Sequence, residues 1–343
     1  MKSLLKYLSP FAPDLAGAVS VLFELDGVIV ICDAGGCTGN ICGFDEPRWF
    51  TRKSALFSAA LRDMDAILGR DRQLADKLIA AARTSNRKFM AVIGSPVPAV
   101  IATDFPALQR MCSKSLDIPV IALEASGTKY YEVGVSQAYM SLFQTFASDA
   151  LPVKPHTVGV LGATPLDYSS LEAARLIKSK INGDVRVYGM ASTLEDVVKA
   201  SEVERNIVVS PGGLKAAEYL QKTFNTPYEI AVPGITDDMT IPDLSGKKVL
   251  IVHQVFAARE LKKSILEKYP DAQVQCGSFF YALSKDCDHR FASEADFRNL
   301  FEANKFDAVF ADKAFERIVQ DIHNGEWIEF PHFAVSGKLL EDL

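Results

Sequence analysis

Short apolar runs rich in β-branched residues recur along the chain. Each is followed by a Gly, Ser, Pro or Asp turn and then by a segment with helical periodicity. Residues 28–31, 89–93, 119–123, 157–161, 185–188, 207–209, 248–252 and 308–310 have the length and composition of buried strands. Between them, residues 71–82 place Leu74, Ala75, Leu78 and Ile79 on one helical face, and residues 171–180 and 257–268 read the same way. Uninterrupted apolar strands alternating with amphipathic helices predict an α/β protein whose parallel sheets are covered on both faces. Two turn-rich stretches, residues 149–155 and 233–246, interrupt the pattern. They divide the chain into three Rossmann-like domains at 1–152, 153–240 and 241–343, the last shortened, with parallel sheets around a central cleft.

Composition narrows the function classes. The 343 residues are 48% apolar and 23% charged, with a net charge of −6. The basic runs do not exceed pairs such as Lys247-Lys248 and Lys262-Lys263, which argues against a nucleic-acid surface. No apolar run approaches the ~18–20 residues of a membrane span, and Pro10, Pro13 and Asp14 break the N-terminal apolar stretch where an export signal would lie. A cytoplasmic location is therefore expected. In that compartment six cysteines are free thiols or metal ligands rather than a disulfide framework.

In open parallel sheets, ligands gather beyond the carboxyl ends of the strands. One such end carries Cys32, Cys37 and Cys42, with Gly35, Gly36 and Gly39 between them. Cys32 reads as the end of a buried strand. Cys37, among glycines, is a poor core residue and a candidate iron–sulfur ligand, and Cys42 is compatible with either role. A loop leading into a helix N-terminus would also lower thiol pKa. Ser210, Gly212 and Gly213 precede a helical run and present either a bare-amide anion site or an ordinary tight turn. His253, with Gln254, follows the run 248–252 and is a proton donor or a structural histidine. Asp33 and Glu124, also at strand ends, are acid/base candidates or N-caps. Asp286, Cys287, Asp288 and His289 form a polar loop, and residues 45–49 read as a surface corner. The chain has no Gly-x-x-x-x-Gly-Lys-Ser/Thr phosphate loop, no Gly-x-Gly-x-x-Gly after a strand and no Gly-x-Ser-x-Gly elbow.

The first segment resembles the nitrogenase component 1 superfamily, which includes nitrogenase subunits, protochlorophyllide reductase subunits and the nickel-tetrapyrrole reductase of coenzyme F430 synthesis. The likeness runs through Leu8–Asp14, the strand and Gly-Cys loop ending at Cys37, and Asp65–Ala75, which matches a strand, glycine turn and helix. It continues through Ile93–Ile101, Glu124, Gly134–Gln137, Asn206–Leu214 and the closing Ile328–Phe333. The resemblance implies an oxidoreductase that takes electrons from a separate ATP-dependent iron protein and reduces a small molecule or tetrapyrrole. It carries one cluster ligand over directly, Cys37. With Cys42 added from each protomer of a homodimer, or from a related subunit, four thiolates would suffice for a 4Fe–4S cluster at the interface. Pro96 stands where a further cluster cysteine is usual, no cysteine occurs near Leu8, and Ser210 replaces the cysteine of an iron–molybdenum cofactor. No iron–molybdenum cofactor and no dinitrogen reduction are therefore expected. A non-catalytic scaffold or carrier for a cluster or cofactor is the alternative, and a metal-free small-molecule binding protein is a second.

Overall fold

The computed structural model describes residues 5–52, 54–237, 239–280 and 287–335. Its strands form three sheets, and every pairing within them is parallel. The first sheet holds β1 (Gly27–Ile31), β2 (Ala55–Ser58), β3 (Phe89–Ile93) and β4 (Val120–Leu123) in the order β2-β1-β3-β4. In the second, β5 (Lys154–Leu161), β6 (Asp184–Val187), β7 (Val203–Val208) and β8 (Tyr228–Ile230) repeat that winding as β6-β5-β7-β8. The third contains β9 (Lys248–Val252), β10 (Gln273–Ser278), β11 (His289–Arg290), β12 (Ala308–Ala311) and β13 (Glu326–Glu329), ordered β11-β10-β9-β12-β13. Each sheet starts from an inner strand, so the winding reverses between β1 and β3, between β5 and β7, and between β9 and β12. Such reversals part the loops at the carboxyl ends and open a crevice there.

Each sheet with its helices forms a lobe. Helices cover the sheets because the strands are buried on both faces, as in β1 and β3, whose residues are all buried. Strands that the apolar runs did not reveal, notably β10 and β13, mix polar with apolar residues in Gln-Val-Gln-Cys-Gly-Ser and Glu-Trp-Ile-Glu. The strand expected at Asp65 is instead part of a helix, Asp63–Leu68. Asp65 Oδ2 accepts the Arg62 amide at 3.0 Å, and Gly69 closes the helix in the left-handed region at φ 60°.

Close contacts hold the first lobe together and join it to the others. Helices Asp14–Leu22 and Tyr131–Phe146 touch through glycines, since a Cβ on Gly134 would lie 1.6 Å from the Asp14 carbonyl oxygen. The buried Asp14 carboxylate accepts the Ser126 and Gly127 amides at 2.9 and 2.7 Å. The N-terminal segment runs onto the third lobe, where the Glu294 carboxylate accepts the amides of Lys6, Tyr7 and Leu8. Phe11 packs there on Phe279 and Phe280.

Arg48, expected in a surface corner, is fully buried between the first two lobes. Its guanidinium donates to Glu46 twice at 2.7 Å, to Glu24 at 2.9 Å, and to the carbonyls of Ser20 and Gly189 at 2.6 and 2.9 Å. A planar donor fork of this kind satisfies several buried acceptors at once, which a lysine could not.

Candidate functional site

At the first reversal, Gly35 takes φ 114° and turns the chain after β1 into the short helix Gly36–Asn40. Asp33 holds the loop in shape: its buried carboxylate accepts Thr38 N at 2.8 Å, Thr38 Oγ1 at 3.0 Å and Ser58 Oγ at 2.6 Å. Asp33 thus braces the loop with three accepted hydrogen bonds. From the β3 side, Ser95 Oγ donates to the Cys32 carbonyl at 2.7 Å and ties the two loops of the crevice together. The helix continues into a π turn, Ile41–Asp45, which carries Cys42. Such turns are frequent at functional sites.

The three thiols differ. Cys32 is buried and pushed up to about 12, first by burial and then by Asp33. Cys37 and Cys42 are partly exposed. Both are raised from the ordinary thiol value, Cys37 by partial burial and then Asp33, Cys42 by burial and then Glu46. The lowering expected at a helix N-terminus is not seen, because burial and then the neighbouring Asp33 and Glu46 carboxylates raise the two thiols. A metal binding these sulfurs would have to displace protons.

The outer side of this loop is bare. A Cβ built on Gly35, Gly36, Gly39 or Gly43 would meet nothing within 4 Å. Among these four, only Gly35 has the positive φ that demands glycine. The others leave space that this chain does not fill. Exposed apolar side chains stand on the segments that follow β1, β2 and β3: Phe44, Phe50, Met64, Ile67, Leu68 and Val100.

The other two reversals meet in a buried polar chain. Tyr131, from the helix Tyr131–Phe146 of the first lobe, donates its hydroxyl to Asp167 Oδ1 at 2.8 Å and lies 3.1 Å from His332 Nε2. Asp167 follows β5, its Oδ2 accepts Thr164 Oγ1 at 2.7 Å, and burial pushes its carboxyl up to about 7. His332 follows β13, and its amide donates to Asp312 at the end of β12. His253, at the end of β9, stacks on His332 with ring centres 4.2 Å apart, and its Nε2 lies 2.9 Å from the Pro331 carbonyl. All three lobes contribute, and Tyr131, Asp167, His253 and His332 are each at most 1% exposed. Of the residues picked from the sequence, His253 belongs to this chain and Ser210 borders it, its side chain hydrogen-bonding to Asp167. The signal available for His332 was its place just beyond a half-apolar strand.

The other candidates have different surroundings. Glu124 is exposed at the end of β4. Ser210 Oγ donates to the Gly162 carbonyl at 2.8 Å across the β5/β7 reversal, and the turn it opens is buried. Gly212 and Gly213 are closely packed, since a Cβ there would lie 2.5 Å from Val135 Cγ1 and 2.6 Å from the Leu161 carbonyl carbon. Gln254 Nε2 bridges to the Val209 carbonyl at 3.0 Å. In the polar loop near residue 287, Asp286 lies outside the described residues, while Asp288 accepts the Cys276 amide and pairs with Lys262. Among the described residues, no group of three or more His, Cys, Asp or Glu side chains could hold a metal ion, and no helix is long and apolar enough to cross a membrane.

Three parallel sheets, each reversing its winding between two inner strands, define an α/β fold like that of the nitrogenase iron-molybdenum protein. The family model for nitrogenase component 1 type oxidoreductase matches residues 13–236, and the chain belongs to that family. Among solved structures, nitrogenase Cp1 at pH 6.5 superposes with a TM-score of 0.72 at 10% identity, over 97% of this chain and 88% of that one. Nitrogenase Cp1 at pH 5 does so with a TM-score of 0.61 at 15% identity, over 98% and 78% respectively. At these identities the likeness speaks for the fold alone. No curated protein sequence matches the chain.

Proposed function

We propose that this chain is the substrate-side component of a nitrogenase-like reductase, paired with a second copy or a related subunit through the cysteine loop of the first lobe. The observation that carries the reading is the bare glycine loop. Cys37 and Cys42 are partly exposed on it, and Gly36, Gly39 and Gly43 leave their outer side empty. A single chain does not meet the donor count of a cluster, because it offers two thiols here and no third ligand among the described residues. Two chains meeting at this loop do, since a 4Fe–4S cluster takes four cysteines. Such a cluster would accept electrons one at a time from an ATP-dependent iron protein.

The chain's own residues supply the setting. Asp33 fixes the loop through the Thr38 amide and the Thr38 and Ser58 hydroxyls. At the junction of the lobes, Asp167, Tyr131 Oη and His332 Nε2 form a hydrogen-bonded path that can hold a proton near neutrality for the reduction of a small molecule or tetrapyrrole. A non-catalytic cluster scaffold is the second reading, favoured by the two-thiol count and by Pro96 at the end of β3. Anaerobic iron and sulfide analysis of the wild type and Cys37→Ala tests the ligand assignment: loss of both elements in the variant supports it, and unchanged content rejects it. Reduction of the bound cluster by an iron protein with ATP marks the reductase. Transfer of the cluster to an acceptor protein marks the scaffold.

A further inference from the structure

Residues 5–12 run along the seam between the first and third lobes as an irregular segment, in neither helix nor strand. One carboxylate anchors the start of the segment. Glu294 Oε2 accepts the Lys6 amide at 2.8 Å, and Oε1 accepts the amides of Tyr7 and Leu8 at 2.9 and 2.8 Å. Amides donating to a carboxylate form charge-assisted bonds, stronger than neutral pairs. Glu294 opens the helix Glu294–Ala303 of the third lobe and is buried, so the fold of that lobe holds the anchor in place.

The far end of the segment meets the buried polar chain. Ala12 N donates to the Ala334 carbonyl at 3.0 Å, and the Ala12 carbonyl accepts the Tyr131 amide at 3.0 Å. One residue thus staples the backbone of Tyr131 to the stretch that carries His332, and the side chains of those two lie 3.1 Å apart. Beside the staple, Phe11 packs on Phe280 with ring centres 5.0 Å apart. Phe280 in turn packs on Tyr131 at 5.6 Å and on His332 at 4.5 Å. Lifting residues 5–12 away would remove both the staple and the ring that backs Phe280.

Tyr131 and His332 are fully buried, so a small molecule that exchanges a proton with them needs a way in. The strands of the third lobe are tied into continuous ladders, whereas residues 5–12 belong to none. Irregular segments outside the ladders open at lower free energy than the sheets they lie on. We propose that residues 5–12 are a strap, latched by Glu294, that closes the seam over Tyr131 and His332 and opens to admit a small molecule to them. Glu294 is then a positioning residue that acts through the strap. What the opening serves rests on the proton-path role of the chain; the strap itself does not.

Diethyl pyrocarbonate acylates accessible imidazole nitrogens, and peptide mass spectrometry of the full chain reads which histidines have reacted. His156 is exposed and serves as the internal standard. In wild type His332 should react far more slowly than His156. Glu294→Ala removes the latch and should speed modification of His332 about tenfold or more relative to His156, since the charge-assisted hydrogen bonds no longer oppose opening. Glu294→Gln keeps one acceptor oxygen and should fall between the two. Hydrogen–deuterium exchange supplies a measurement that needs no variant: in wild type the amides of Tyr7, Leu8 and Ala12 should exchange faster than those of the three sheets. In Glu294→Ala exchange should rise over residues 5–12 and 330–335 and stay at the wild-type level in β1 and β5. Unchanged His332 reactivity in Glu294→Ala would overturn the proposal, as would wild-type protection of residues 5–12 equal to that of the sheets. Faster exchange across all three sheets, or a variant that fails to fold, would overturn it too, because residues 5–12 would then be an inseparable part of the fold. The readout needs neither iron nor turnover, so its failure is distinct from failure of the redox reading.

Discussion

Replacing Arg48 by Met removes a buried cation and keeps most of the side-chain volume. Arg48 and Glu46 have side-chain exposures of 2% and 0%, so the loss strands the Glu46 carboxylate inside the protein with the Arg48 backbone amide as its remaining donor. It also deprives the Ser20 and Gly189 carbonyls of their guanidinium donors and Glu24 of a partner. Breaking a buried pair from one side costs about 3–5 kcal/mol, more than a surface ion pair by several-fold. The hydrophobic stem of Met recovers little, because the vacated space is lined by carboxylates and carbonyls. Urea unfolding followed by fluorescence reports it directly: the chain has two tryptophans, Trp49 and Trp327, and a Trp327→Phe background leaves Trp49 beside the clamp as the reporter. Arg48→Met should lower stability by about 3–5 kcal/mol. Glu46→Gln in the same chain should restore roughly 2 kcal/mol or more, because the stranded charge is gone. A single variant within about 1 kcal/mol of wild type, or strictly additive effects in the cycle, would refute the view that this clamp joins the first two lobes.

The carboxyl of Asp167 is raised from 3.8 to about 7, so the folded state holds a proton there that the unfolded chain has already lost. Its contribution is full below about pH 4 and falls as pH rises towards 7, on the order of 4 kcal/mol in all. Stability measured from pH 4 to 7 should therefore fall more steeply in wild type than in Asp167→Asn, and equal slopes would contradict the assignment. Asp45 has a similar raised value, so the comparison must be made against that variant rather than read from wild type alone. Gly134→Ala forces a Cβ into the Asp14 carbonyl and should cost about 3 kcal/mol or more in the same unfolding assay. A tolerated alanine would mean that the two helices are not in such close contact. Tyr131→Phe withdraws the hydroxyl between Asp167 and His332 and should cost about 1–3 kcal/mol, which unfolding at pH 6 would register.

The architecture was legible because buried parallel strands are apolar on both faces, and β1, β3, β5 and β9 announce themselves that way. Strands such as β13, at the edge of its sheet, carry polar residues and left no such run. The cysteine loop could be found because its residues are neighbours in the chain. The buried polar chain could not, because Tyr131 reaches Asp167 across 36 positions and His332 across 201. Arg48 misled for the same reason, since one of its acceptors lies 141 positions away. Local spacing left Ser210, Gly212 and Gly213 as either an anion site or a tight turn and gave no sign that Val135 and Leu161 press against the glycines.

Electron paramagnetic resonance on the reduced, anaerobically prepared protein, resolved by size before measurement, bears most directly on the role of the first-lobe loop. Paired chains should give an iron–sulfur signal that disappears in Cys37→Ala and in Cys42→Ala, with monomeric fractions silent. A signal in the monomer, or one that survives both substitutions, would contradict a cluster shared across this loop.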